Sequence, residues 1–497
     1  MRSILSLLLF VSVVLATPAC TTNPATGASS FTAFMSPADE KRVGAAEHPK
    51  LVQQFGGSYN QAELSAYVTR VGQSLARFAE VQDVQYTFTV LDDDDINAFA
   101  LPGGYIHVTR GLLALASNEA ELAGVLGHEI GHVTARHAAQ RYSSATAANL
   151  GIGILSILGA VAGLPPSLTQ ATGSGLQSGA AIYLQSYSRD QEMEADRLGI
   201  RYMTRAGYDP EAMVTFFRKL DTWTRHEAML TGDGAAADRL DIMASHPRTA
   251  DRVQQAAQLA GSTRVPGEEL DQGRYLKAID GMLFGDAPNQ GFRRGRDFIH
   301  PELRIAFQVP EGFVLKNASE QVAAVGPGGA VIVFDTEQRA EVARRVPDMQ
   351  TYLTAAWANN IRLSGVQRLD IDGHDAATGA ARLRTSSGVV DVRLVAIRGG
   401  PDRIWRFAFI APPDVAQTFQ NDFQKTVLSF HRLSAQEAAA AKPWRINVVT
   451  VGAGDTPARL ADRMAGDQSR LETFLVLNGL NTDSKLAPGQ QVKIVTE

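Results

Sequence analysis

With a single cysteine, Cys20, in 497 residues, this chain can form no disulfide within itself and must hold its cores by packing alone. It also lacks a comfortable membrane span. Ile4 to Ala16 is only as long as a signal-peptide core, and the glycine-rich Ala147 to Gly163, about 17 residues, sits at the bottom of the spanning range and reads as a buried or membrane-facing helical hairpin. No basic patch builds up: Lys and Arg are spread along the chain and the net charge is −5, which argues against nucleic acid as a partner. Internal repeats and long low-complexity segments are absent. The acidic run Asp92 to Asp95 lacks the spacing of a calcium loop and reads as a solvated turn.

What is present is chemically pointed. His128-Glu129-Ile130-Gly131-His132 lies in a stretch where Asn118 can cap a helix, with Glu121 three residues on, and Leu122, Val125, Leu126, Ile130 and Val133 form an apolar stripe. At about 100° per residue, two histidines four apart lie some 40° from each other on the helix surface, so both imidazoles can reach one metal ion with Glu129 beside it. A catalytic zinc needs a third protein ligand and keeps one position for water. His137 is placed about 180° round from His128 if the helix continues, which makes it a supporting or structural residue. The better candidate lies in Ser188 to Asp196, read as the start of a second helix. There Glu192 and Asp196 share a face while Glu194 is turned about 200° away.

The pair of motifs, HEIGH followed by SRDQEMEAD, resembles the zinc metallopeptidase family of the CAAX prenyl endopeptidase, HtpX and BepA, over roughly Pro37 to Leu259. The resemblance implies that His128, His132 and Glu192 bind one zinc ion per chain, that Glu129 activates water and that Asp196 supports the site. It also implies that Asn97 to Ile106 leads into an edge strand beside the cleft, so that Gly104, Tyr105 and Ile106 bind substrate backbone. Val84, Tyr86, Phe88 and Val90 alternate as a half-buried strand does, and Leu101-Pro102-Gly103-Gly104 supplies a turn. Ser245-His246-Pro247 and Arg252 are further family-like features. His246 is expected either to approach the zinc from a loop or to be an ordinary loop residue, and Arg252 either to stabilise substrate or to be a surface charge.

The N-terminus reads as an export signal over residues 1–19, ending in Thr17-Pro18-Ala19-Cys20, which resembles a bacterial lipobox. Lipid attachment at Cys20, followed by a flexible tether to residue 36, places the chain on the periplasmic face of the outer membrane; ordinary cleavage after Ala19 would leave it soluble in the periplasm. The expected architecture is α+β. A mainly helical, zincin-like peptidase domain with a small edge-strand sheet occupies 37–262, and a linker or helical connection follows over 263–300. A small α+β domain of unknown role covers 301–435. A unit at 443–497, strand, two short helices, strand, resembles a LysM module through Gly454-Asp455-Thr456, Asn478-Gly479-Leu480 and Leu486 to Gln490. Pro457 suits the first position of its first helix, and the resemblance implies binding to peptidoglycan.

Together these features describe a zinc endopeptidase of the bacterial envelope acting on misfolded or misassembled envelope proteins. Two alternatives remain: a chaperone or scaffold lipoprotein with a latent zinc site, and a peptidoglycan peptide hydrolase. Glu129→Gln is expected to keep zinc and lose nearly all peptide hydrolysis, whereas His128→Ala loses the metal. Full casein cleavage by purified Glu129→Gln protein would contradict the assignment.

Overall fold

The computed structural model describes residues 20–146, 186–231, 250–263, 271–318, 321–337, 339–385, 388–466 and 469–497. The export signal, the apolar stretch Ala147 to Gly163 and His246 lie outside them. Among the described residues no helix is long and apolar enough to cross a membrane.

The stretch after Cys20, expected to be a flexible tether, instead pairs with itself: β1 (Cys20–Thr22) runs antiparallel to β2 (Ser29–Phe31). The turn between them is closed by Asn23, whose backbone N–H donates to Ala28 O at 2.7 Å and whose side chain accepts from Ala25 N at 2.9 Å. Two helices follow, α1 (Pro37–Gln54) and α2 (Ala62–Ala76). Ser36 and Asp39 form a reciprocal capping box at the start of α1.

A small sheet comes next, made of β3 (Thr87–Leu91), β4 (Ala98–Leu101) and β5 (Tyr105–Thr109) in the order β3-β5-β4. Its order corrects the expectation for Gly104, Tyr105 and Ile106. They lead into and begin the central strand, whose backbone groups pair with β3 on one side and β4 on the other. Gly103 and Gly104, at φ 81° and 95°, fold the chain back tightly enough to insert β5 between its neighbours. The outer strand beside the metal-motif helix is therefore β4.

Among the described residues this half continues with helices α3 (Arg110–Leu115), α4 (Glu119–Thr134), α5 (Arg189–Arg205), α6 (Glu211–Thr231) and α7 (Ala250–Thr263) and a helical stretch over 137–146. Asn118 Oδ1 caps α4 by accepting from Glu121 N at 2.8 Å, as its sequence suggests. The helix is buried almost all round rather than along one stripe, because α2, α5, α6 and β4 surround it.

The segment expected to be a connection is structured throughout its described part. Helix α8 (Gln272–Ile279) puts Tyr275, Leu276 and Ile279 into the core of the N-terminal half, and β6 (Leu283–Phe284) joins the sheet of the C-terminal unit. The middle domain already begins with β7 (Phe292–Arg294) and β8 (Asp297–His300), which pair with β9 (Ile305–Gln308). Its main sheet is antiparallel, with β10 (Val314–Asn317), β11 (Gln321–Val325), β12 (Val331–Thr336), β13 (Ser364–Ile371), β14 (His374–Thr385), β15 (Gly388–Gly400) and β16 (Arg403–Ala411) in the order β10-β11-β12-β16-β15-β14-β13. An aromatic core of Phe298, Phe307, Phe334, Trp405, Phe407 and Phe430 fills one face, with α9 (Gln420–Ser429) packed against it.

The C-terminal unit has the expected layout: after β17 (His431–Arg432), which pairs with β9, come β18 (Trp444–Thr450), α10 (Pro457–Ala461), α11 (Arg470–Leu477) and β19 (Gln491–Thr496). It is not a separate bead. Ile446, Leu460, Phe474, Val492 and Ile494 belong to the same hydrophobic cluster as Leu113 and Leu122. Across that contact the buried Lys493 donates from Nζ to the carbonyl oxygens of Ala114 (2.6 Å), Leu115 (3.3 Å) and Ala116 (2.7 Å), where α3 ends. Lys219 joins it with bonds to Leu115 O (3.1 Å), Ser117 Oγ (2.7 Å) and Glu121 Oε2 (2.6 Å). Helix C-termini carry unsatisfied carbonyls and a partial negative charge, which two ammonium groups answer here.

Lys493→Ala leaves three carbonyls short of a donor, at a cost of about 1.5–3 kcal/mol for each charged hydrogen bond less what is regained by no longer burying an ammonium. Hydrogen–deuterium exchange should accordingly quicken over residues 110–122, far away in sequence. Unchanged exchange there would show that the contact does not stabilise the peptidase side.

Candidate metal centre

The site forms where α4 and α5 touch, and glycine sets how closely they do so. A Cβ on Gly199 would fall 2.9 Å from the backbone nitrogen of His128, and Cβ atoms on Gly127 and Gly131 would fall 3.1 Å from the carbonyl oxygens of Gly199 and Ala195. Without side chains at these crossings, the carboxylates of α5 come within reach of the imidazoles of α4. Ser188 starts α5 with a capping box to Gln191, which fixes the register in which Glu192 and Asp196 face inward.

His128 Nε2 and His132 Nε2 stand 3.0 Å apart, and each lies 3.5 Å from one oxygen of Glu192, Oε2 and Oε1 respectively. Donor atoms around a tetrahedral ion with bonds of about 2.0–2.2 Å are separated by about 3.3–3.6 Å; both histidine–glutamate separations fall in that range and the two imidazole nitrogens stand somewhat closer, so the three groups can converge on one divalent metal. Two imidazoles and one carboxylate are also the donor set of a catalytic rather than a purely structural centre. Glu129 is fully buried next to His128 and lies close enough to Arg252 and Tyr187 to act on their charges.

The supporting groups are as ordered as the ligands. Asp196 Oδ1 lies 2.9 Å from His128 Nδ1, so the ring is held from behind by a carboxylate, as the resemblance implied. Arg252, on α7, is buried and not a surface charge. Its Nε and Nη2 bind Asp196 Oδ2 and Oδ1, both at 2.8 Å, and its Nη1 binds Glu192 Oε2 at 2.6 Å. This bidentate fork neutralises two carboxylates that would otherwise repel each other in a dry site. Burial raises the cost of a charge on Asp196, yet Arg252 and His128 outweigh it and hold the carboxyl below its ordinary pKa. Burial likewise opposes a charged His128, but Asp196 and Glu192 prevail and its pKa stands at about 9.

Two neighbours escaped the sequence reading. The ring of Tyr187 stacks on His132 with centroids 3.9 Å apart and planes 19° apart, while the Arg141 guanidinium carbon lies 3.7 Å from the centroid of the Tyr187 ring. An aromatic residue just before the Ser188 cap was its one visible trace. His137 was expected to point away on a continuing helix. Instead α4 stops at Thr134, Arg136 turns the chain at φ 59°, residues 137–146 start a new helical stretch, and His137 Nδ1 comes to 2.8 Å from His132 Nδ1.

Gly199→Ala should force α4 and α5 apart at the His128 backbone, a strain of about 1–3 kcal/mol. The expected result is a metal affinity at least about tenfold weaker in competition with a chelator. An affinity equal to wild type would show that the helix contact has slack.

Residues 62–260 match the model of peptidase family M48, and residues 449–495 match the LysM domain. The beta-barrel assembly-enhancing protease of Escherichia coli (strain K12) is 33% identical over 246 residues, 48% of this chain and 48% of that protein. The putative beta-barrel assembly-enhancing protease of Vibrio cholerae serotype O1 is 36% identical over 201 residues, 39% of this chain and 38% of that protein. The mitochondrial metalloendopeptidase OMA1 of Schizosaccharomyces pombe is 28% identical over 236 residues, 47% of this chain and 64% of that protein. The chain thus spans about half the length of the first of these relatives. With both metal motifs inside the matched segment, this chain carries a peptidase family M48 domain at residues 62–260 and a LysM domain at residues 449–495.

Proposed function

We propose that this protein is a zinc-dependent endopeptidase of the bacterial cell envelope that hydrolyses misfolded or misassembled envelope proteins. The observation that carries the reading is the convergence of His128, His132 and Glu192 within ligand distance of one another, with Glu129 buried beside them. Zinc, when bound, supplies a Lewis acid for the scissile carbonyl and lowers the pKa of a coordinated water toward about 7. The Glu129 carboxylate takes the proton of the attacking water and later hands it to the leaving amine nitrogen, and no covalent intermediate with the protein is required. Asp196 and Arg252 keep the ligands aimed while this happens. They hold their partners and do not touch the substrate.

Substrate is proposed to lie along β4 (Ala98–Leu101), the outer strand beside α4, and not along Gly104 to Ile106. Pairing of an extended peptide with a strand edge reads backbone more than side chains, which suits unfolded segments of varied sequence. The bacterial relatives carry the names beta-barrel assembly-enhancing protease and putative beta-barrel assembly-enhancing protease, which favours a role for this chain beside the assembly of β-barrel proteins. Attachment to peptidoglycan is proposed for the LysM domain, whose loops around Gly452 to Gly454 and Asn481 to Asp483 face solvent, and lipid attachment on the periplasmic side of the outer membrane for Cys20. The LysM domain also favours a second reading, hydrolysis of peptidoglycan peptides.

The two are separated by incubating full-length protein with an unfolded outer-membrane β-barrel protein and, separately, with purified sacculi. Expected are zinc-dependent fragments of the protein substrate, abolished by chelator and restored by added zinc, and co-sedimentation with sacculi without release of muropeptides. Released muropeptides alone, with the protein substrate intact, would favour the second reading.

A further inference from the structure

His137, Glu194 and Asn23 have no task in the hydrolysis derived above, yet they form a continuous chain of contacts that ends on a metal-ligating ring. An imidazole that offers Nε2 to a metal keeps its own proton on Nδ1. His132 Nδ1–H therefore donates to His137 Nδ1 at 2.8 Å, which places the proton of neutral His137 on Nε2, facing Glu194 Oε2 at 3.2 Å. The other oxygen of Glu194, Oε1, accepts from Asn23 Nδ2 at 2.8 Å. Asn23 is itself buried, in the turn of the β1–β2 hairpin. Thus His128 is held by a carboxylate directly, whereas His132 is held by a carboxylate acting through a second imidazole.

The same N-terminal segment grips this chain of contacts at a second point. Arg136, the residue that turns the chain so that His137 can reach His132, adopts a left-handed backbone that only surrounding contacts sustain in a non-glycine residue. Its Nε donates to Glu40 Oε2 at 2.9 Å, and its Nη2 donates to Met35 O at 2.8 Å. Both partners lie in the stretch that leads from the hairpin into α1.

We propose that residues 20–40 are part of the metal centre: through Asn23 and Glu194, and through Glu40, Met35 and Arg136, they position His137, which fixes the ring of His132 and thereby sets the affinity for the metal. His137 and Glu194 are positioning residues and do not touch substrate. The inference rests on the metal-centre reading above.

Its test is the zinc affinity of the full-length protein, measured by competition with a chromogenic chelator alongside the unfolding midpoint of the metal-free form. His137→Leu and Glu194→Ala should weaken zinc binding by about 10–100-fold, and Asn23→Ala by a smaller factor, in each case by more than any fall in the metal-free midpoint accounts for. His137→Asn, whose side-chain oxygen can accept from His132 Nδ1–H in place of the ring nitrogen, should recover most of the loss. Affinities of His137→Leu and Glu194→Ala equal to wild type would overturn the proposal, as would losses that merely follow a drop in the metal-free midpoint or that His137→Asn fails to relieve. Failure of the wild-type protein to take up zinc would instead overturn the metal-centre reading beneath it.

Discussion

The contact between two helices at glycine is the constraint on which everything else in this molecule depends. Gly127 and Gly131 on α4 meet Ala195 and Gly199 on α5 with backbone nearly touching backbone. Only at that spacing can a carboxylate on one helix and two imidazoles on the other share a single ion. The closeness has a consequence for charge. It brings Glu192 and Asp196 out of water together, and carboxylates in a dry interior are strongly unfavourable unless they are paired. Arg252 solves this from a third helix, with one flat guanidinium bridging both. Catalytic geometry and electrostatic compensation are therefore one arrangement.

Helix α4 is also secured at both of its ends by parts of the chain that are remote in sequence. Near its start, Glu121 bonds Lys219, and Lys219 and Lys493 together answer the exposed carbonyls at the end of α3. Near its finish, the turn at Arg136 is bound to Glu40 and Met35. A metal centre benefits from such restraint, since ligands aimed before a metal arrives lose little freedom on binding it. It also means that the LysM domain is built into the same core as the metal-bearing helices and not suspended from them, so the orientation of its solvent-facing loops relative to the metal centre is set by packing.

The middle domain shows where reading a sequence by periodicity succeeds and where it stops. Strands rich in Val, Ile and Phe, such as β12, β15 and β16, stand out by composition. Strand β14, with its run of Ala, Gly and Arg, carries little intrinsic preference for extended backbone and becomes a strand because β13 and β15 flank it. The capped start of α4 at Asn118 was legible because capping involves residues three apart in the chain, whereas for α5 the residue pattern marked a start near Ser188 but not the cap itself. The order of the small sheet was not, because nothing in Leu101 to Ile106 states which neighbours the next strand will find.

From the sequence alone came the local chemistry: two histidines one helical turn apart with a glutamate beside them, a second pair of acids with the same spacing, and a C-terminal unit with strand–helix–helix–strand spacing. The first two follow from the fixed geometry of a helix, in which residues four apart share a face whatever surrounds them, and the third from the resemblance to LysM modules. Tertiary structure decided that Arg252 would hold the carboxylates, that β4 and not β5 would be the outer strand, that His137 would reach back to His132, and that residues after Cys20 would fold against the metal centre. Each of these turns on contacts between segments distant along the chain, or on one backbone angle at Arg136 stabilised by such contacts. Periodicity reveals which face of an element is apolar or charged, and only packing determines what that face will meet.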